Sequence, residues 1–339
     1  MQKLIECVPN FSEGSDGSTI SHITDTMQKV TGVNVLHVDV GKAANRTVVT
    51  MVGEAVAVCE AAFQGVKRAA ELIDMSKHKG THPRMGATDV CPLIPIANIS
   101  MTETVALART LSKRVGEELR IPVYCYEHAA FAPERKRLET CRSGEYEGLK
   151  VRLQGEQGRP DFGPQEWDDR VCRTGATVIG ARNLLVAYNI NLGTTSAQMA
   201  HAIACDVRES GRGKAMPGIL KAVKAMGWYI EEYGCAQVSM NLTDIAVTPL
   251  HVAFEEVCKR AVARGVRVTG SELIGLIPLQ CLLDAGRYFL SKQGRACRVS
   301  EGVTVREVIE VAVKALGLDD LQAFEVGERV IEYRMGKVG

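Results

Sequence analysis

The sequence predicts an α/β (α+β) protein built from two ferredoxin-like βαββαβ subdomains, or similarly built α/β halves. Three observations lead there. Apolar residues alternate between strand and helix spacing in the order strand, helix, strand, strand, helix, strand, and that order occurs twice along 339 residues. A chain of this length exceeds what one compact core ordinarily holds. Between the two occurrences lies Ala130 to Arg173, rich in Arg, Glu, Gly and Pro. No identity is detectable between the halves, so a duplication rests on element order alone.

In the first half, Leu4 to Val8 forms a short strand, and Ser18 to Val30 spaces Ile20, Ile23 and Met27 as one helix face. Val33 to Val40 alternates as a strand, Gly41 to Ala44 turns, and Thr47 to Val52 returns. Glu54 to Ile73 is an alanine-rich helix, and a polar loop leads to a strand at Val90 to Ile96. Ser100 to Glu118 begins with a capping-box pair, Ser100 and Glu103, and Ile121 to Tyr126 is a short apolar strand. Pro133 to Cys141 is helical and packs on the first half, and the remainder of the polar stretch reads as an inter-domain connection.

The second half starts with a strand at Asn183 to Asn191 and a helix at Thr195 to Arg208, capped by Thr194 or Thr195. Strands at Lys221 to Tyr229 and Ala236 to Asn241 follow, then a helix at Leu250 to Ala263 that Gly265 ends, and a strand-like run at Val266 to Leu276. The expected domains are 1–178, 179–295 and an appendix, 296–339. The appendix has one helical pattern, Val303 to Leu316, for packing or dimer formation.

Composition narrows the function classes. With 46% hydrophobic and 24% charged residues the chain is ordinary globular material, and a net charge of +1 gives no global field to attract nucleic acid or an anionic membrane. Aromatics at 5% argue against base-stacking platforms. Eleven cysteines are scattered with no CxxC pair, which argues against structural zinc and fits a reduced, cytoplasmic protein. No apolar run approaches the roughly 20 residues needed to span a bilayer, and Glu6, Pro9 and Asn10 interrupt the N-terminus too early for a signal-peptide core.

The stretch Asp74 to Pro95, DMSKHKGTHPRMGATDVCPLIP, carries two histidines, Lys79, Arg84 and Asp89 between a helix and a strand. Rigid elements on both sides suit a loop that must hold polar groups still. Pro83 restricts His82 to extended backbone, and an imidazole can both take and give a proton near neutrality. His82 is therefore either a proton-transfer group or a solvated loop histidine. His78 has no carboxylate pattern to complete a metal set.

Several motifs together give the chain a family likeness. They are Glu6-Cys-Val-Pro-Asn-Phe-Ser-Glu-Gly14, Asn45-Arg46-Thr47, His82-Pro-Arg-Met-Gly86, Asp89-Val-Cys-Pro92, Gly144-Glu-Tyr-Glu147 and Asp161-Phe-Gly-Pro164. Gly180-Ala-Arg182, Asn189-Ile-Asn-Leu192, Arg212-Gly-Lys214, Pro217-Gly218 and Gly227-Trp-Tyr229 continue the series. In order and spacing these resemble glutamate formiminotransferase, the formimino-transferring half of formiminotransferase-cyclodeaminase, from Met1 to about Leu290. The cyclodeaminase half of bifunctional members is not expected here.

The resemblance implies transfer of a formimino group from N-formimino-L-glutamate to tetrahydrofolate in histidine breakdown, by a homodimer whose paired α/β subdomains are packed around a central cleft. It places the catalytic histidine at His82. It places folate contacts at Gly163, Pro164, Gln165, Arg173 and Gly175, where the loop is longer than the family's. A second set falls at Gly218, Ile219, Leu220, Lys221, Ala222, Val223, Lys224 and Gly227. Tetrahydrofolate is then a co-substrate, no metal is expected, and a separate cyclodeaminase is a candidate partner.

The chemistry fits such residues. The folate N5 amine must lose a proton while the departing glutamate nitrogen gains one, and one group of pKa near 7 can carry it. Formiminoglutamate and the folate tail bring carboxylates, for which Arg46, Arg84, Lys214 and Lys221 are candidate partners, with Asn45 beside Arg46. Each cation is equally readable as a solvated surface charge. Asp39, at a strand end, either orients His82 and the amidine cation or caps local backbone. Two further readings stay open: a related enzyme using N-formylglutamate or 5-formyltetrahydrofolate, and a folate-binding protein without catalysis.

Overall fold

The structure, a computed structural model, describes residues 2–42, 45–80, 83–294 and 303–336. The chain divides after Asn183 into two compact units.

The first unit opens with β1 (Leu4–Cys7) and β2 (Asn10–Phe11), followed by α1 (Gly17–Gln28), β3 (Val33–Gly41), β4 (Arg46–Glu54), α2 (Ala55–Leu72) and β5 (Thr88–Ala97). β1 and β2 are two parts of one track interrupted at Val8-Pro9, and both pair antiparallel with β4 on one side and β5 on the other. With β3 outside β4, the order β3-β4-β1/β2-β5 is the antiparallel ferredoxin-like arrangement. The predicted spacing on α1 is realised, because Ile20, Ile23 and Met27 are its buried residues. Burying each such side chain contributes about 1.5–3 kcal/mol.

α3 (Met101–Glu118) crosses from β5 to β6 (Val123–Glu127), and its N-terminus carries the predicted capping box, Ser100 with Glu103. The chain then forms α4 (Leu138–Cys141), α5 (Glu145–Gln154), α6 (Asp169–Thr174) and β7 (Thr177–Ala181). β7 inserts parallel between β5 and β6. This corrects the reading of Ala130 to Arg173 as largely a connection. Cys141, Leu149, Leu153 and Val171 join Tyr124, Tyr126 and Val178 in an apolar core of their own. Alternation along β6 sends Val123 and Cys125 to the main core and Tyr124 and Tyr126 to this second one. The expected boundary at 178/179 falls within β7.

The second unit runs β8 (Val186–Leu192), α7 (Ala197–Val207), β9 (Val223–Ile230), β10 (Cys235–Leu242), α8 (Leu250–Val262) and β11 (Val268–Ile274). Its sheet order, β11-β8-β10-β9, is again ferredoxin-like and antiparallel throughout. Ser196 caps α7, in place of the expected Thr194 or Thr195: its hydroxyl accepts the Met199 N–H at 3.1 Å, while the Thr194 hydroxyl accepts the Ser196 N–H at 3.2 Å. A Cβ on Gly227 would lie 1.9 Å from the His201 backbone nitrogen, so only glycine lets α7 lie this close to β9.

α9 (Leu279–Lys292) and α10 (Val305–Leu316) follow, and two short helices, α11 (Val326–Arg329) and α12 (Ile331–Arg334), come after them. Residues 303–336 are no appendix, because Ile309, Ala312, Leu316 and Val330 share one core with Tyr188, Ile190 and Val238 of the sheet. The amphipathic pattern of α10 serves intramolecular packing.

Candidate active site

Register places the start of β4, the end of β2 and the start of β5 at one end of the first sheet: Phe11 lies opposite both Thr47 and Thr88. The starts of β6 and β7 adjoin them, with Val123 opposite Thr177 and Val90 opposite Val178. His78 and Lys79, in the polar stretch after α2, meet this end at Asn45. His82 lies outside the described residues, and the groups on either side of it define the surroundings.

Asn45 ties three segments together. Its φ of 48° lies in the left-handed region, which asparagine tolerates better than most residues. Its Oδ1 accepts the Gly14 N–H at 2.9 Å and its Nδ2 donates to the Lys79 carbonyl at 2.8 Å. The Nε2 of His78 lies 3.0 Å from the Asn45 carbonyl.

The next residue, Arg46, donates from Nη2 to the Oδ1 of Asn10. Its Nε, buried, donates to no described group. Burial pushes the guanidinium pKa down, with Asp89 and Asp39 opposing the shift and Arg142 adding to it. The charge persists, since arginine titrates far above neutrality. Arg46 thus keeps a cation with donor capacity in reserve. Asp39 is exposed on β3, opposite Val48.

Arg84 is arranged differently. It is 8% exposed and grips Glu147 with both ends of its guanidinium, at 2.8 and 2.6 Å. Its Nε donates to His78 Nδ1 at 3.3 Å, and Glu145 lies at 3.5 Å. The Glu147 bond raises the Arg84 pKa, and the same bond lowers that of Glu147. Its fork is already committed to protein carboxylates, which sets it apart from the grip on substrate expected for it.

Asp89, 1% exposed, accepts the Met85 N–H at 3.1 Å and pairs with Arg142, whose Nε lies at 3.2 Å. Asn10, Arg142, Glu145 and Glu147 were not singled out as site residues by sequence reasoning. Three of them belong to quoted motifs, but only the fold shows what they touch.

Of the first predicted folate stretch, Arg173 and Gly175 lie beside the site loop. The Arg173 carbonyl accepts the Met75 N–H at 2.8 Å, its side chain is exposed, and Gly175 forms a bridge to Gly86. At φ 65°, a Cβ on Gly175 would lie 2.2 Å from the Met85 carbonyl oxygen. Gly163, Pro164 and Gln165 sit instead next to the start of β6, where the Val123 N–H donates to the Phe162 carbonyl at 2.9 Å.

The second stretch belongs to the other unit. Leu220 and Val223 point into its core, so any ligand contact there is made by backbone. Ile219, Lys221 and Lys224 are exposed, and Gly218 and Gly227 are places of close backbone approach. Ala222 is held at φ 54°, its N–H donating to Glu209 at 2.7 Å. Among the described residues no group of three or more His, Cys, Asp or Glu side chains is placed to hold a metal ion.

Residues 4–182 match the family model described as formiminotransferase domain, N-terminal subdomain, and residues 187–336 match that of the formiminotransferase domain. The chain belongs to the formiminotransferase family. The match reaches residue 336, past the limit near Leu290 read from motifs, because the helices after β11 are part of the domain. The chain is 47% identical over 333 residues to formimidoyltransferase-cyclodeaminase of Gallus gallus, covering 98% of this chain and 60% of that protein. It is 43% identical over 293 residues to glutamate formimidoyltransferase of Thermoplasma acidophilum, covering 86% and 93%. The protein of that name from Streptococcus pyogenes is 43% identical over 291 residues, covering 86% and 94%. The chain spans about 60% of the length of the bifunctional relatives it matches.

Proposed function

We propose that this chain moves the formimino group of N-formimino-L-glutamate to N5 of tetrahydrofolate, giving 5-formiminotetrahydrofolate and L-glutamate in histidine degradation. The carrying observation is likeness along 93% and 94% of two proteins named glutamate formimidoyltransferase. Tetrahydrofolate is a co-substrate and no metal enters the scheme.

In this reading N5 attacks the amidine carbon, the N5 proton leaves, the bond from that carbon to the glutamate nitrogen breaks, and that nitrogen takes up a proton. His82 carries the proton from one nitrogen to the other. Arg46 holds a carboxylate of formiminoglutamate, supported by its unpartnered Nε, and Asn45 fixes the backbone beside it. Asp39, near enough to act on Arg46, faces the amidine cation. Within the first unit the exposed Arg173, and within the second the exposed Lys221 and Lys224, each carry a charge that suits the folate's carboxylates.

The product still carries an imine on N5, so a separate cyclodeaminase is the partner its chemistry calls for; relatives from Gallus gallus and Mus musculus are named for both activities. We place the chain in the cytoplasm as a homodimer. The cysteines of the described residues are free thiols, which suits a reducing compartment.

The test is glutamate release from formiminoglutamate with and without tetrahydrofolate. Folate-dependent release supports the reading. Release from N-formylglutamate alone supports the related one-carbon enzyme, and ligand-induced stabilisation without turnover supports a binding protein.

A further inference from the structure

The Gly144-Glu-Tyr-Glu147 motif has no part in the reaction as written above, yet it touches both segments that flank the site loop. The Tyr146 N–H donates to the Arg84 carbonyl at 2.9 Å, and the Tyr146 hydroxyl donates to the Cys172 carbonyl at 2.6 Å. Glu147 grips the Arg84 guanidinium from the same turn. One residue therefore bonds at its backbone to the segment after His82 and at its side-chain tip to the segment holding Arg173 and Gly175.

These two segments are also bonded to each other. The Met75 N–H donates to the Arg173 carbonyl and the Ala87 N–H to the Thr174 carbonyl, both at 2.8 Å, and the Ala176 N–H donates to the Met85 carbonyl at 3.0 Å. Arg84 passes the restraint on. It donates from Nε to His78 Nδ1 and from Nη2 to the His78 carbonyl at 3.4 Å, so residues 78 and 84 are joined across the loop. An Nδ1 that accepts leaves Nε2 as the protonated nitrogen, and Nε2 faces the Asn45 carbonyl. Both ring nitrogens of His78 are thereby used in holding the loop.

We propose that Tyr146 and Glu147 are positioning residues for the transfer reaction: together they clamp Arg84 to Ala87, and His78 through Arg84, against the 171–176 segment. The proposal rests on the transferase reading for its kinetic consequence and on the geometry alone for the clamp. Tyr146 is backed by Trp167, whose ring lies 5.8 Å away, and Glu147 is mostly exposed. Glu147 is thus a surface carboxylate put to use by a nearly buried arginine. Charge-assisted, bidentate geometry distinguishes this contact from an ordinary surface pair.

The test uses the full chain with Tyr146→Phe, Glu147→Gln, Arg84→Gln and the double variant Arg84→Gln/Glu147→Gln. A displacement near 1 Å at a reacting group can cost about a hundredfold in rate. The expected kcat for Tyr146→Phe and Glu147→Gln, per folded enzyme, is therefore down by at least about tenfold. KM for both substrates is expected to stay within about threefold, as for a lost transition-state interaction. The double variant should be no worse than its poorer single, since the pair acts as one unit.

Hydrogen exchange supplies a readout that needs no activity. The Met75, Ala87 and Ala176 amides should exchange faster in Tyr146→Phe and in Glu147→Gln, with the β1–β4 amides unchanged. Unaltered exchange at those three amides overturns the clamp. Unaltered kcat per folded enzyme overturns its catalytic consequence, and Tyr146→Phe decides should Glu147→Gln fail to fold. A wild-type chain inactive on formiminoglutamate removes the transferase reading, and exchange then decides the clamp by itself.

Discussion

Arg84 and Glu147, 63 positions apart in sequence, meet in a two-point ion pair at 2.6 and 2.8 Å. The arginine of a His-Pro-Arg motif is thereby turned away from substrate chemistry toward holding its own loop. Arg46, at the same end of the sheet, has a buried Nε that donates to no described group. In the proposed reaction the labour divides accordingly, with Arg46 assigned to ligand, Arg84 to framework and His82 to the proton.

His82→Ala should lower kcat by at least about two orders of magnitude, the contribution typical of positioned acid–base help. Tetrahydrofolate binding, measured by titration calorimetry, should persist. Near-normal turnover in this variant would remove His82 from the proton path.

Arg46→Ala should raise KM for formiminoglutamate by about tenfold to a hundredfold, the equivalent of one charge-assisted hydrogen bond. Arg46→Lys should recover only part, because an ammonium cannot supply the forked donors. Initial-rate kinetics at saturating tetrahydrofolate checks this, and an unchanged KM would show that Arg46 serves Asn10 alone.

Asp89 and Arg142 form an ion pair whose carboxylate is 2% exposed at the side chain and whose guanidinium is 15% exposed. Removing one partner from a buried pair leaves an uncompensated charge and costs about 3–5 kcal/mol. Arg142→Met should therefore lower the urea midpoint sharply, while Asp89→Asn/Arg142→Met together should cost less than Arg142→Met alone. A simple sum of the single effects would contradict the coupling.

Glu6 sits within the first sheet at 5% exposure, where burial raises its pKa from 4.5 to about 7 against the pull of Arg182. Between those two values the folded state binds more protons than the unfolded one. The stabilising effect of the neutral carboxyl is therefore complete below about pH 4.5 and is lost as pH rises to about 7. The loss is on the order of 3 kcal/mol. Glu6→Gln should flatten the stability profile over this window in urea titrations at successive pH values. An identical profile in the variant would place the titration elsewhere.

Much of the fold is legible in the sequence because local signals and global architecture agree. The capping box at Ser100 and Glu103, the α1 stripe and the six elements from β8 to β11 are all local patterns. β7 is not legible. Thr177 to Ala181 is a buried five-residue run without alternation, and its parallel pairing with β5 and β6 is a long-range fact. The stretch from Ala130 to Arg173 misleads for a related reason: its polar composition hides a sparse apolar set, Leu149, Leu153 and Val171, that only the second core brings together.

The site shows the same division. Asp74 to Pro95 stands out as a functional loop because unlike polar groups crowd between two regular elements. That Arg84 is engaged by Glu147, and Asp89 by Arg142, is not readable from residues 63 and 53 positions away. The identity of the chemistry comes from the order of many short motifs, each weak alone.

The most direct test of the central claim follows one atom. Formiminoglutamate labelled with carbon-13 at the formimino carbon, incubated with this chain and tetrahydrofolate, should transfer its label to folate N5, with one glutamate released for each labelled folate formed. Label that stays on glutamate, or that leaves as formamide or formate without reaching folate, would contradict the account.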